Sequence, residues 1–477
     1  MKKILFFPAH SRDTHRTALT LEALKRDLDS GNDVRILDCG AILGGYCALN
    51  RGRGKIYCNK CMRSLDKVAG LLDVPRSKFI PMRMCKIPDF PEIDSVEKLK
   101  NFEIGGVNVG VGAASVIMTL NRDYMPDILR EQGTVRGFLR TAAIMIGNLE
   151  RIYREWKFDE FHSFNGRLPS VYPAVMFCAK NGIDYTLFEC GANRSKIRVA
   201  KNILIHDIQL IKDEISRYWN SANPEEREKL AIKWFADRRG GKYQAMESFT
   251  ARQKNGLVPS NWDKSKQNIA IFNSSIDEFY AFNCWKNPLS DNENLILKQL
   301  LEHYKNDSTK HFYLRVHPNL TKSKRKGSRQ IAEIREFSRI YPNLTVIEPE
   351  SKIDTYALID LADKVLTFTS TAGFEATYYG KVSILAGKAP YDELDCVYLA
   401  KSMEELYKLI DAAGLKPKPR ESTYPYAYRT QVYGEYFKYA KATNETDASY
   451  KGVPLDLSGS NTWSYVKRLI LGRDKSW

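Results

Sequence analysis

Apolar and polar positions follow two different periods along this chain. Short runs of apolar and β-branched residues recur, among them Lys3 to Pro8, Asp33 to Leu37 and Ile269 to Asn273. Between them lie longer segments in which apolar residues are spaced three or four positions apart. Short continuous apolar runs are typical of strands buried on both faces, and the wider spacing is typical of helices that cover them. The alternation therefore predicts an α/β protein with parallel sheets.

This alternation occurs twice, and a polar segment from Gly256 to Lys266 separates the two runs. A chain of 477 residues is also too long for a single hydrophobic core. We therefore predict two Rossmann-like domains that face a cleft, the first at 1–258 and the second at 266–425. The remainder, 426–477, is a tyrosine-rich and basic tail with a predicted helix around Trp463 to Leu471.

Three predicted strands of the second domain end in polar or cationic residues. One of them opens the stretch Ala362 to Gly380, which has the pattern of a strand, a polar turn and a helix. Open α/β sheets bind ligands at the carboxyl ends of their strands, and a helix N-terminus offers unpaired N–H groups to an anion. The turn predicts a phosphate site, although serine and threonine also favour N-cap positions without a ligand. The candidate binding residues are Asn273, Ser274, Ser275, Arg315, His317, Pro318, Ser370, Thr371 and Gly373.

Three motifs at these strand ends carry a resemblance to a known family. They are IFNSS at 271–275, RVHPN at 315–319 and TSTAGFEA at 369–376, and FNGR at 164–167 and FECG at 188–191 extend it to the first half. The series resembles the GT-B glycosyltransferases of capsular and surface-polysaccharide synthesis, which include CMP-Kdo transferases.

The resemblance implies a fold of two Rossmann-like GT-B domains, with the tail crossing back to pack on the first domain. It implies that the second domain binds a CMP- or UDP-linked sugar and that Glu375 faces the ribose. The implied activity is transfer of Kdo or another acidic sugar to a cell-surface glycan or a lipid-linked acceptor.

Glycosyl transfer needs a group that neutralises the leaving phosphate and, for an inverting reaction, a base for the acceptor hydroxyl. No D-x-D motif lies at the end of a predicted strand, so we expect catalysis to need no cofactor. Candidate bases are His10, Glu189 and Asp207, all in the first predicted domain. Polar residues expected on the acceptor side are Asn165, Arg167 and Arg194.

Two other classes of function fit parts of this pattern. A teichoic-acid-type glycerophosphotransferase would use a similar fold with a catalytic histidine, and the pair His206-Asp207 supports that alternative. A non-catalytic protein that binds sugar nucleotides or glycans is the other, because every feature of the second domain concerns binding.

Four of the nine cysteines lie close together in the sequence, within a glycine-rich insertion at 39–65. They are Cys39, Cys47, Cys58 and Cys61, and the last two form a C-x-x-C pair. Such spacing is consistent with a structural zinc ion held by four thiolates, and a set of buried thiols is the alternative.

The formal net charge of +16 predicts an anionic partner. We expect no nucleic acid, because no RNA- or DNA-binding motif is present and most basic residues are dispersed. The apolar run Ile4 to Phe7 is too short for a signal peptide, so we expect a cytoplasmic protein. The basic, tryptophan-containing tail adds a hypothesis of peripheral contact with the inner face of the membrane.

Overall fold

The computed structural model describes residues 1–457, apart from 10–12, 49–51, 53, 243–249, 251, 291 and 322–327. The chain divides into two compact units. The first contains 1–120, 126–206 and 434–477, and the second contains 121–125 and 207–433. The main division thus falls at His206 and Asp207, before the segment at 256–266 that the sequence suggested.

The first unit is built on a sheet of seven strands in the order β15-β8-β7-β6-β1-β2-β3, where β15 is Glu435–Tyr436 of the tail and the other ranges follow below. The neighbouring strands β7, β6, β1, β2 and β3 all run parallel to one another. Strand β8 is antiparallel to β7. Its strands before the tail are β1 (Lys3–Phe7), β2 (Asp33–Asp38), β3 (Phe79–Pro81), β4 (Glu103–Ile104), β5 (Val107–Asn108), β6 (Glu160–Phe164), β7 (Asp184–Cys190) and β8 (Lys196–Lys201). Its helices are α1 (Thr14–Asp29), α2 (Gly54–Leu71), α3 (Val96–Lys100), α4 (Gly110–Asn121), α5 (Gln132–Trp156) and α6 (Tyr172–Lys180).

The second unit contains a sheet of six strands in the order β11-β10-β9-β12-β13-β14, and every pairing in it is parallel. The strands are β9 (Gln267–Phe272), β10 (Lys310–Arg315), β11 (Leu344–Ile347), β12 (Lys364–Thr367), β13 (Val382–Leu385) and β14 (Tyr398–Leu399). The helices are α7 (Ile208–Ser221), α8 (Pro224–Arg239), α9 (Glu293–His303), α10 (Arg329–Ile340), α11 (Thr355–Leu361), α12 (Ala372–Tyr378), α13 (Met403–Asp411) and α14 (Tyr424–Val432). Two α/β units, the first with a mainly parallel sheet and the second with a wholly parallel one, confirm the predicted fold class.

An aromatic cluster in the second unit fixes where α8 lies on α12. Phe235 of α8 stacks on Tyr378 with ring centroids 3.7 Å apart, and it meets Phe374 at 5.6 Å. Phe374 in turn contacts Tyr426 of α14 at 4.8 Å. Large aromatic rings bury much apolar area and restrict the orientation of the helices that carry them. The end of α8 is therefore held beside the start of α12.

The tail returns to the first unit after α14. Its described part forms the short strands β15 (Glu435–Tyr436), β16 (Ala440–Ala442), β17 (Ala448–Tyr450) and β18 (Val453–Pro454). The carboxylate of Glu22 on α1 is fully buried and accepts main-chain N–H groups of Lys438, Tyr439 and Ala440 at 2.8 to 3.1 Å. The helix predicted around 463–471 lies outside the described residues.

In the ranges that the structure describes, no helix is both long enough and apolar enough to cross a membrane.

Candidate functional site

The carboxyl ends of three strands lie level in the second unit. Phe272 at the end of β9 is in register with Arg315 of β10 on one side and with Thr367 of β12 on the other. The chain runs from β9 outward through β10 and β11, then returns to the opposite side of β9 as β12. Ligands of doubly wound sheets bind where the strand order reverses in this way. The predicted residues after β9 and β12 therefore flank the switch point of this sheet.

His317 is fixed by two main-chain contacts at this edge. Its own N–H donates to Oδ1 of Asn273 at 2.8 Å, which joins the segment after β10 to the segment after β9. Its ring Nδ1 accepts the N–H of Asn319 at 3.2 Å. A neutral imidazole that accepts at Nδ1 carries its hydrogen at Nε2. His317 can therefore donate a hydrogen bond to an anion through Nε2.

The turn before α12 uses most of its polar groups locally. The N–H of Gly373 donates to the carbonyl of Ser370 at 3.2 Å, and Oγ of Ser370 accepts the N–H of Ala372 at 3.3 Å. A side chain at Gly373 would also meet Oγ1 of Thr367 and Oη of Tyr391 at 2.6 Å. The glycine is thus required by packing, and its amide is already engaged rather than held ready for a phosphate.

Arg238 at the end of α8 brings a cation to the turn that sequence reasoning missed. Its Nη2 lies 3.3 Å from Oε1 of Glu375 and 3.5 Å from Oγ1 of Thr371. Glu375 is buried and also accepts the hydroxyl of Tyr356 at 2.7 Å. The carboxylate expected to face a ribose therefore faces Arg238 and Tyr356 in this structure, because packing of α8 on α12 brings the guanidinium to it.

Arg315 is placed differently from the prediction that it supplies charge to a phosphate. Its guanidinium is buried and donates to the carbonyls of Ile353, at 2.9 Å, and Ser351, at 3.3 Å. Burial lowers the pKa of this arginine to about 10. The side chain holds the segment before α11, and Arg238 is the cation at the turn instead.

Glu293, at the start of α9, is a second residue that sequence reasoning missed. Its Oε2 accepts the N–H of Ser274 at 3.0 Å, just after β9. Burial raises the pKa of this carboxyl to about 7. Ser275 donates to Asp277, which pairs with Arg122 at 3.2 Å. Ser274 and Ser275, both predicted as ligands, are therefore hydrogen-bonded to acidic side chains. Pro318, another predicted ligand, begins the short turn after His317.

In the first unit, residues predicted for catalysis and acceptor binding come together after β6 and β7. Asn165 has a left-handed backbone, with φ of 72°, and its Nδ2 donates to Oε2 of Glu189 at 2.7 Å. The same amide lies 3.0 Å from Nε2 of His206, which therefore accepts. Burial, assisted by Arg167 and Arg198, lowers the pKa of His206 to about 3. This histidine is neutral over the physiological range.

Glu189 has the environment of a proton-transfer group. Burial raises the pKa of its carboxyl, while the Asn165 hydrogen bond and the charges of Arg16 and Arg167 act in the opposite direction. Arg167 also lies within 3.4 Å of Ser115 and Thr119 on α4. A carboxyl whose pKa is tuned by burial and opposing cations is typical of general acids and bases.

The other predicted residues of the first half lie apart from this cluster or outside the description. Asp207 caps α7, where its Oδ1 accepts the N–H of Gln209 at 2.8 Å, and it belongs to the second unit. Arg194 pairs with Glu445 of the tail at 2.5 Å. His10 lies outside the described residues.

The four predicted metal-binding cysteines line a single cavity of the first unit. Burial raises the pKa of Cys39 to about 11 and that of Cys47 well above its ordinary value. With nothing bound, these thiols are neutral and poor nucleophiles. In the described part of the chain, no three His, Cys, Asp or Glu side chains form a group that could hold a single metal ion.

No family model matches this chain, and no curated protein matches it. Among solved structures it is similar to the KpsC β-Kdo 2,4 transferase of Thermosulfurimonas dismutans, at 16% identity and a TM-score of 0.38, covering 57% of this chain and 80% of that one. It is also similar to a UDP-GlcNAc 2-epimerase of Neisseria meningitidis, at 12% identity and a TM-score of 0.28, covering 91% and 95%. A third is the glycosyltransferase SnogD of Streptomyces nogalater, at 15% identity and a TM-score of 0.24, covering 90% and 95%.

The structure itself contains the two α/β units that the resemblance implied.

Proposed function

We propose that this protein is a GT-B-type glycosyltransferase that uses a nucleotide-linked sugar. The observation that carries the proposal is the level edge of β9, β10 and β12, with Arg238 beside the turn after β12 and His317 in the segment after β10. We assign both side chains as donors for a phosphate. Departure of a nucleotide leaves negative charge on its phosphate oxygens, and fixed cations and hydrogen-bond donors stabilise that charge. Arg238 supplies the charge and His317 the directed donor.

In the first unit, Glu189 is the group proposed to take the proton of the acceptor hydroxyl. Its raised pKa moves it toward the range where a carboxylate accepts a proton efficiently. Asn165 holds the carboxylate in one orientation, and its hydrogen bond and the charge of Arg167 both favour the ionised form. His206, which is buried and neutral, is assigned the role of orienting Asn165 rather than of transferring protons.

The finer assignment rests on the motifs of the sequence. We assign Kdo or another acidic sugar as the transferred group, CMP or UDP as the carrier, and a cell-surface glycan or its lipid-linked precursor as the acceptor. The net charge of +16 suits an anionic donor and an anionic acceptor. The same proposal places the transfer reaction at the cytoplasmic face of the membrane.

Calorimetry with CMP, UDP and GDP, followed by a nucleotide-release assay with and without glycan acceptors, tests this function. We expect one pyrimidine nucleotide to bind and its sugar conjugate to be consumed only when acceptor is present. Binding without turnover across all donor and acceptor pairs would favour a sugar-nucleotide-binding protein. Transfer of glycerol phosphate from CDP-glycerol to an acceptor, with release of CMP, would instead favour the glycerophosphotransferase.

A further inference from the structure

The cavity lined by four cysteines lies at the carboxyl ends of β1 and β2, in the first unit. Cys39 follows β2 directly, and Cys47 lies in the glycine-rich loop that comes next. Cys58 and Cys61 are three residues apart on α2, so they share one face of that helix. The end of β2, the loop and helix α2 thus each contribute thiols to the same cavity. Closeness in the sequence alone would not require the four side chains to meet there.

The backbone around these thiols is held in an unusual conformation. The loop has positive φ at Gly40, Ala41, Gly44 and Gly45, and alanine with φ of 68° is an uncommon and costly state. Ser170 donates to the carbonyl of Cys47 at 2.8 Å and fixes that part of the loop. The loop is thus shaped specifically at the point where it presents Cys39 and Cys47.

The rest of the cavity wall is mostly apolar. Phe7, Leu43, Met62 and Leu65 are buried side chains that contribute to it. Soft thiolate ligands in an apolar shell select zinc or iron–sulfur clusters over hard cations such as magnesium or calcium. Apolar surroundings also exclude solvent, which stabilises a bound cluster and sets its potential.

The arrangement of the four thiols distinguishes between a zinc ion and an iron–sulfur cluster. A tetrahedral zinc ion lies about 2.3 Å from each sulfur, so it draws four sulfurs to within about 4 Å of one another. Although the four thiols line one cavity, no three metal-ligating side chains in the described ranges form a group that could hold one ion. Four thiols that line one cavity without converging on a single ion suit a cluster, in which each iron takes one thiolate of its own.

We propose that Cys39, Cys47, Cys58 and Cys61 bind an iron–sulfur cluster, of the [4Fe–4S] type that four cysteines hold. Bound there, it would join the loop after β2 to helix α2.

Purification of the full chain without air and without chelators, followed by iron, zinc and acid-labile sulfide analysis, tests the proposal. We expect about four iron and about four sulfide per chain, with a visible absorption band and a paramagnetic signal after reduction. The variants Cys58→Ser and Cys61→Ser should lose most of both elements. The matched control is Cys85→Ser, because Cys85 is half-buried and lies outside the cavity.

A second measurement covers the case in which the serine variants fail to fold. The unmodified chain, stripped of metal and then given ferrous iron and sulfide, should recover the absorption band, and the control variant should recover it equally. Stoichiometric zinc without sulfide would overturn the cluster and restore the single-ion site predicted from the sequence. Absence of any metal, together with failure to reconstitute, would leave four buried thiols.

Discussion

Nη2 of Arg238 lies 3.3 Å from Oε1 of Glu375, at the point where helix α8 ends beside the start of α12. The glutamate side chain is 5% exposed and the arginine side chain is 27% exposed, so the cation is open on one side while the anion is covered. A half-covered arginine that is already balanced by a carboxylate can still turn a hydrogen-bond donor toward a phosphate. Substitutions in this pair can therefore separate an effect on nucleotide affinity from an effect on stability.

Arg238→Met should weaken nucleotide binding by about tenfold to a hundredfold, since a charge-assisted hydrogen bond is worth about 1.5–3 kcal/mol. It should also lower the free energy of unfolding by about 1–3 kcal/mol, because the buried carboxylate of Glu375 loses one of its hydrogen-bond donors. The double variant Arg238→Met with Glu375→Gln should recover stability but not affinity. Calorimetry and urea denaturation measure the two effects.

The control is Arg239→Met, which removes an ion pair with Asp360 in which both side chains are 40% exposed. Full affinity in the single variant would remove Arg238 from the site.

His317→Ala should reduce nucleotide affinity by a similar factor, because it removes the Nε2–H donor. His317→Gln should restore part of the loss, since a glutamine amide can also donate at about that reach. His303→Ala, at the exposed end of α9, is the control. Calorimetry with the nucleotide that binds the unmodified chain provides the measurement, and equal affinity of all four proteins would contradict the assignment.

Glu189→Gln should lower kcat by about a hundredfold to ten-thousandfold while leaving donor affinity unchanged, as expected for loss of a general base. The glutamine oxygen can still accept from Asn165, so the fold should be retained. In the unmodified enzyme the ionised carboxylate is the active form, so kcat should fall as pH is lowered through its raised pKa. The variant should lack that limb of the profile. Unchanged kcat would move the base elsewhere, and Glu155→Gln, at an exposed position, is the control.

A histidine in the first unit predicts how stability depends on pH. His162 lies 2.8 Å from Asp27 and 3.1 Å from Glu160, and these carboxylates raise its pKa to about 9 despite burial. The folded pKa exceeds the ordinary value of 6.5, so the folded state binds the proton more tightly than the unfolded state. The contribution is complete below pH 6.5 and is lost as pH rises through about 9.

The free energy of unfolding should therefore fall by about 1–3 kcal/mol between pH 6.5 and pH 9.5. Urea denaturation at a series of pH values measures this slope. His162→Gln should be less stable at pH 6.5 and should show a flatter dependence. An identical slope in the variant would assign the titration to another group.

Local pattern predicted the strands and the turns that follow them, because buried strands and their polar ends leave a clear mark in the sequence. It could not predict Arg238, whose role depends on aromatic packing of α8 on α12 rather than on any nearby motif. Arg315 illustrates the opposite error: a cation near a strand end was expected to bind a ligand, but its side chain is directed to the carbonyls of Ile353 and Ser351. Sequence fixes which residues follow a strand, while tertiary packing decides which way each one points.

The contact between Glu22 and the tail has a consequence for synthesis of the protein. A ribosome makes helix α1 early, yet the main-chain groups that satisfy the buried carboxylate of Glu22 come from 438–440. Strand β15, which covers the edge of β8, is also made late. Residues 207–433 have by then emerged and can form their own sheet, since domains generally fold as units. The first unit is therefore begun before the second unit during synthesis but can be completed only after it.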